Sequence, residues 1–259
     1  MKKVIAFAVS VLLLLTLSLE IFAEQKAQDW YCVRNKEHRQ PIVGSDIGYV
    51  ENYGGYYIDH KYGDNADEKK VYLTFDAGYE NGNVEKILDV LKEKQVSGAF
   101  FVLSSLVGKN TDLVRRMADE GHLVCNHSST HVDMTTLTSF EEFRTELQAL
   151  ESVYRDATGR EISKYFRPPE GRFNEDTLKY AKELGYKTVF WSFAYADWDN
   201  NAQMSREAAK KKILDNIHNG AVILLHPTSE TNAAILGDVI DELRSQGYTF
   251  GTLDELTAE

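Results

Sequence analysis

Six titratable side chains draw attention because each stands at the end of a short apolar run. Asp76 closes KVYLTFD, His127 and His131 follow HLVCN, Arg167 ends KYFR, Asp197 follows VFWSFAYA, and His226 ends AVILLH. Together they offer acid, base and cation chemistry at one face. A carboxylate can take a proton from water and an imidazole can return one to a leaving group. His127 and His131, four apart in NHSSTH, are spaced so that a helical turn would aim both rings at one point. A divalent metal, most simply zinc, accepts such a pair. Arg167 leads into Pro168 and Pro169, which fix an extended path, so its guanidinium would be held to orient a carboxylate in a two-pronged pair. Tyr79, in the turn GYENGN, and Trp198, beside Asp197, are candidate walls of a substrate groove with Pro169, and the segment after Pro169 is expected to offer a backbone N–H to a developing oxyanion. Glu80 reads as part of the turn rather than as a ligand, with Asn83 as cap of the next helix. Singly, each residue has an ordinary structural explanation, such as a capping histidine or an arginine packed over a turn. Their shared position at strand ends gives them weight.

The elements that position them follow from hydrophobic period. From KVYLTFD to YTFGTL, strand-length apolar runs alternate with amphipathic stretches such as NVEKILDVLKEKQ and NAAILGDVIDELRSQG, about seven β/α units by pattern. Continuous apolar strands separated by helices imply a parallel sheet covered on both faces. The count favours a distorted (β/α)7 barrel, in which chemistry sits at the carboxyl ends of the strands. An open doubly wound sheet is the alternative, but no G-x-G-x-x-G follows the first strand.

Residues 1–23 read as a secretory signal peptide: Lys2 and Lys3 precede the apolar run Ile5 to Leu19. Glu20 and the large Ile21 leave an uncleaved anchor as the other reading, and export is common to both. Residues 24–68, rich in Tyr, Gly, Asn and charges without sustained period, read as an N-terminal arm expected to pack on a main domain at 69–259. The formal charge is −11, or −12 once the leader's two lysines and one glutamate are set aside. Such acidity argues against nucleic acid as a partner. Cys32 and Cys125 lack zinc-knuckle spacing and are expected to remain unpaired, Cys125 within a buried strand.

The ordered set TFDAG, HSSTH, RPPEG, DW and LLH resembles the five motifs of the polysaccharide deacetylase (NodB homology) family over roughly residues 70–255. The resemblance implies a distorted β/α barrel that removes N-acetyl groups from polysaccharides by metal-assisted hydrolysis. It gives Asp76 the role of general base, His127 and His131 that of metal ligands, Arg167 that of orienting Asp76, Asp197 that of tuning its neighbours, and His226 that of general acid. Most members carry a second aspartate, the third metal ligand, where this chain has Ala77. The departure implies a divalent metal, in all expectation zinc, held weakly by two histidines. With the arm's WYCVRNKEHRQP, the motif TFDAGYENGN is similar to a subgroup of muramic-acid de-N-acetylases of spore formers. That likeness implies peptidoglycan glycan strands as substrate, an upstream amidase that strips the peptide, and muramic δ-lactam in spore cortex as the outcome.

Overall fold

The computed structural model describes residues 26–258, and the signal peptide expected at 1–23 lies outside them. The arm contributes four two-residue strands, β1 (Gln28–Asp29), β2 (Cys32–Val33), β3 (Ile42–Val43) and β4 (Gly55–Tyr56). Then follow β5 (Lys69–Ala77), α1 (Asn83–Lys94), β6 (Ala99–Val102), α2 (Ser104–Lys109), α3 (Thr111–Asp119), β7 (Leu123–Asn126), α4 (Phe140–Thr158), β8 (Ser163–Phe166) and β9 (Arg172–Phe173). The chain continues through α5 (Glu175–Glu183), β10 (Lys187–Val189), α6 (Arg206–Asn216), β11 (Ala221–Leu225), α7 (Glu230–Ser245), β12 (Tyr248–Gly251) and α8 (Leu253–Leu256).

All seven strands expected from the apolar runs are present, and they lie parallel in the order β11-β5-β6-β7-β8-β10-β4, with β12 also on β5. The long β5 makes this possible: Lys69–Tyr72 pair with β12, and Thr74–Ala77 pair with β6. β4 comes from the arm, whose two paired residues are too short to leave a pattern in the sequence. Past β10 the chain crosses to the opposite edge. Phe190 N–H donates to Tyr56 O at 2.7 Å, and Ser192 and Phe193 N–H donate to Val222 O at 3.0 and 3.2 Å. Single bridges, Phe193–Ile223 and Ile58–Ala221, thus join the two edges where a regular barrel would have a continuous ladder. The distorted barrel is a curled parallel sheet with incomplete closure.

Strand period sets the layers. Val71, Leu73, Phe75 and Ala77 point outward into the cluster beneath the helices, with Val84, Ile87, Leu88 and Leu91 of α1 among their partners. Tyr72, Phe101, Cys125, Tyr165, Val189 and Val222 fill the inside. Thr74 and Asp76 share the face of Tyr72, so the carboxylate of Asp76 is carried inward at the top of the barrel. Each of the large buried side chains is worth about 1.5–3 kcal/mol of burial.

The arm is anchored by Trp30. Its ring stacks on Phe190 with centroids 4.4 Å apart, its N–H donates to Gly171 O at 3.0 Å, and its indole N–H donates to Trp191 O at 2.8 Å. A Cβ at Gly171, where φ is +68°, would lie 2.7 Å from the Trp191 ring, so only glycine fits under this clamp. Two local expectations need revision or hold. Asn83 is the first residue of α1 rather than its cap; the cap is Gly82 at φ 88°, and the Asn83 amide donates to Thr228 O at 3.1 Å instead. Both cysteines are free, with Cys125 buried in β7. Among the described residues no helix is long and apolar enough to cross a membrane.

Candidate active site

A cavity of about 600 Å³ opens at the carboxyl ends of the strands, and Asp76, Tyr79, His127, His131, Trp198 and His226 line it together with Glu170 and Tyr195. Of the residues singled out from sequence, Arg167, Asp197 and Pro169 do not line this cavity. The first two act from behind it.

Arg167 is fully buried, and four hydrogen bonds hold its guanidinium. Nη1 donates to Asp76 Oδ1 at 2.8 Å, Nε to Val189 O at 2.9 Å, and Nη2 to Thr74 Oγ1 at 2.9 Å and Phe190 O at 3.1 Å. Its face lies 4.2 Å from the centre of the Phe101 ring. The pair with Asp76 is therefore single-pronged, not the two-pronged contact expected, because backbone carbonyls and Thr74 claim the other donors. That leaves Asp76 Oδ2 turned toward His127, 3.5 Å from its Nε2. Burial alone would raise the Asp76 pKa, but Arg167, with His226 beyond it, outweighs burial and holds the carboxyl below its ordinary value. The result is a carboxylate with one oxygen fixed and the other available as a base.

The histidine pair converges, though not through a helical turn. After β7 the chain forms a tight loop in which Ser128 and His131 both adopt positive φ, 69° and 62°. Ser128 N–H donates to Asn126 Oδ1 and His131 N–H to Ser128 Oγ, each at 2.9 Å, which fixes the loop. The two rings end 5.1 Å apart at 73°. Non-glycine residues in this region cost on the order of 1 kcal/mol each, a strain that clusters at functional sites. His127 Nδ1 donates to Arg167 O at 2.8 Å, so its Nε2 lone pair faces Asp76 and the cavity. Burial pushes the His127 pKa down to about 4, which keeps the ring neutral.

On the other side, His226 Nδ1 donates to Asp197 Oδ1 at 2.7 Å and its backbone N–H to Oδ2 at 2.9 Å. Asp197 is buried while a quarter of the His226 side chain is exposed, so the imidazole presents Nε2 to the cavity. Burial works against the proton on His226, but the bond and charge of Asp197 prevail and its pKa is raised. Trp198 is 60% exposed with its ring 6.1 Å from His226, and Tyr79 is 48% exposed, and both line the cavity. Pro169 is buried in its turn, outside the cavity lining, and has no N–H to offer. Glu170, at φ 58°, takes that place on the cavity wall, while Gly171 N–H is engaged with Pro168 O at 3.0 Å.

Sequence reasoning missed Thr74 and Asn232, which bind Arg167 and Asp197 from below. Strand period places Thr74 beside Asp76, but nothing local marks Asn232. Ala77 is fully buried in the apolar cluster under the helices, on the face opposite Asp76, so its methyl leaves no open seat at the cavity.

The histidines suit a divalent ion in chemistry: His127 is neutral, its Nδ1 is anchored on a carbonyl, and its Nε2 faces the same cavity as His131. No group of three His, Cys, Asp or Glu side chains suited to a metal occurs among the described residues. The donor set is thus two imidazoles, with any further ligands left to solvent or substrate.

A profile of the polysaccharide deacetylase family matches residues 63–189. The peptidoglycan-N-acetylmuramic acid deacetylase PdaA of Bacillus subtilis is 43% identical over 233 residues, 89% of this chain and 86% of that protein. The solved structure of B. subtilis PdaA, described as a family 4 carbohydrate esterase, superposes with a TM-score of 0.83 at 41% identity, covering 89% of this chain and 97% of that one. The peptidoglycan-N-acetylglucosamine deacetylase PgdA of Listeria monocytogenes is 37% identical over 74% of this chain and 39% of its own length. A family 4 pseudoenzyme from Bacillus anthracis shares the fold with a TM-score of 0.70 at 30% identity, over 79% of this chain and 69% of its own. The motifs that meet around the cavity and the likeness that extends through the arm give one answer: the chain belongs to the polysaccharide deacetylase family.

Proposed function

We propose that the protein is an exported hydrolase that removes the N-acetyl group from N-acetylmuramic acid of peptide-free peptidoglycan, leading to muramic δ-lactam in spore cortex. The observation that carries the reading is the opposition of two charge pairs across one cavity, Asp76 on Arg167 and His226 on Asp197. The muramic substrate is favoured over N-acetylglucosamine by coverage: likeness to the muramic enzyme spans 89% of the chain, against 74% for the glucosamine enzyme.

Asp76, held by Arg167, takes a proton from water through its outward oxygen as the water attacks the acetamide carbonyl. The backbone N–H of Glu170, on the cavity-lining turn stiffened by Pro168 and Pro169, is the donor assigned to the developing oxyanion. His226, whose hold on its proton Asp197 strengthens, gives that proton to the departing amine. A divalent ion on His127 and His131 would supply Lewis acidity that polarises the carbonyl. Trp198 and Tyr79 bracket the sugar. The muramic substrate carries a lactyl carboxylate. That carboxylate is exposed only after an amidase has cut away the peptide, which makes such an enzyme a functional partner.

Mass spectrometry of peptide-free glycan strands, intact strands and chitin oligomers after incubation, with and without chelator, tests this. The expected result is loss of acetyl from muramic residues of peptide-free strands, suppressed by chelator, followed by loss of water on ring closure. Preference for chitin oligomers would move the assignment to an N-acetylglucosamine deacetylase. Binding without acetate release would make the protein a wall-binding relative of the pseudoenzyme.

A further inference from the structure

Behind the Asp197–His226 pair lies Asn232, buried in the first turn of α7. Its Nδ2 donates to Asp197 Oδ2 at 2.6 Å and to His226 O at 3.2 Å, and its Oδ1 accepts from the Tyr195 hydroxyl. The orientation of the amide is fixed by chemistry: a carboxylate only accepts, so Nδ2 must face Asp197, and the hydroxyl is left to serve Oδ1. Capping of α7 does not need this side chain, since it is the Asn232 backbone N–H that bonds Ser229 Oγ, at 3.0 Å.

The Asp197 carboxylate therefore accepts three bonds. Two come from His226, through Nδ1 at 2.7 Å and N–H at 2.9 Å, and the third comes from Asn232. The third bond competes with the first two for the same negative charge. We propose that Asn232 is a positioning residue that sets the acid strength of His226 by sharing the charge of Asp197. The charged groups facing His226 are Asp197 after β10, Asp76 on β5 and Arg167 after β8; the two carboxylates favour its proton and the guanidinium opposes it. Asn232 brings a neutral side-chain donor from α7 to the dominant carboxylate. Without it, Asp197 turns its full charge on the imidazole, which then holds its proton more tightly and delivers it more slowly to a leaving amine. The role in catalysis rests on the deacetylase reading, but the titration does not.

The test is an NMR titration of the His226 ring in the intact protein, assigned by its loss in His226→Ala. Asn232→Ala and Asn232→Ser both remove the donor to Asp197, and alanine is the better helix former, so α7 is retained. The expected result is a His226 midpoint raised by about half to one pH unit in both variants. A several-fold drop in kcat for acetate release at unchanged KM accompanies it. Tyr195→Phe leaves the amide donor in place and moves the midpoint by less. A midpoint that stays put or falls in either folded Asn232 variant overturns the proposal, as does a Tyr195→Phe shift as large as that of Asn232→Ala. Failure of the wild-type protein to release acetate from any glycan would instead refute the function proposed above, with the titration result standing on its own.

Discussion

Arg167→Met gives the sharpest test of how the site is held together. The side chain is fully buried and its partner Asp76 is 8% exposed, so the substitution leaves a carboxylate in the barrel without its cation. Breaking one partner of a buried pair costs about 3–5 kcal/mol, a large share of the roughly 5–15 kcal/mol that stabilises a typical domain. In a chain of this size that is a fall in Tm of roughly 6–20 °C. The pH dependence identifies the cause. In the wild type the Asp76 pKa is lowered, so its contribution to stability is fully present above the unfolded value of about 3.9 and is lost only as pH falls through the folded one. Without Arg167, burial dominates and the folded pKa moves above the unfolded one. The variant then gains stability relative to wild type as pH is lowered from 7 through that raised value. Arg167→Met with Asp76→Asn should recover about 2 kcal/mol of the loss, and the remainder reflects the carbonyls of Val189 and Phe190 and the Thr74 hydroxyl that lose a donor. Urea unfolding followed by tryptophan fluorescence at pH 7.5 and 5.5 measures all three. A loss under about 1 kcal/mol at pH 7.5, or costs that add in the double variant, would refute the buried-pair argument.

Further outcomes follow from the same geometry. The pH profile of kcat/KM is expected to be bell-shaped, with an acid limb below 3.8 from Asp76 and an alkaline limb above 6.5 from His226. Asp197→Asn removes what raises His226 and brings the alkaline limb down; an unmoved limb would assign it to another group. Asp76→Asn and His226→Ala should each lower kcat by about 10²–10⁴-fold with the fold intact by circular dichroism. A loss under tenfold would remove the residue from the proton transfers. Ala77→Asp places a carboxylate in a packed apolar cluster and should lower the metal-free Tm by roughly 10 °C. Zinc should recover none of that loss, because position 77 faces the helices while His127 and His131 line the cavity. Scanning calorimetry with and without zinc checks it, and a zinc-dependent recovery would show that a carboxylate at position 77 reaches the metal.

Much of this protein is legible from neighbours along the chain. The apolar runs gave the seven core strands, since burial on both faces leaves a continuous hydrophobic signature. The alternation in KVYLTFDA dictates that Thr74 and Asp76 face inward while Phe75 and Ala77 face the helices. The polar residue ending each strand marked the face where the cavity opens, and Pro168 and Pro169 announced a stiff turn there. What the sequence could not show is how those ends meet. The Asp76–Arg167 contact spans 91 residues and the Asp197–His226 contact 29, distances over which no period operates. Only packing decides that Arg167 spends three of its bonds on Thr74 and backbone carbonyls and one on Asp76. The histidine pair shows the same limit at short range: spacing suggested a helical turn, whereas Asn126 and Ser128 side chains hold two residues at positive φ to bring the rings together. Two residues of the arm complete the sheet as β4, and Asn232 reaches Asp197 from α7. Both depend on what the folded barrel leaves unpaired, an edge strand in one case and a buried carboxylate oxygen in the other, and such needs exist only once the tertiary structure has formed.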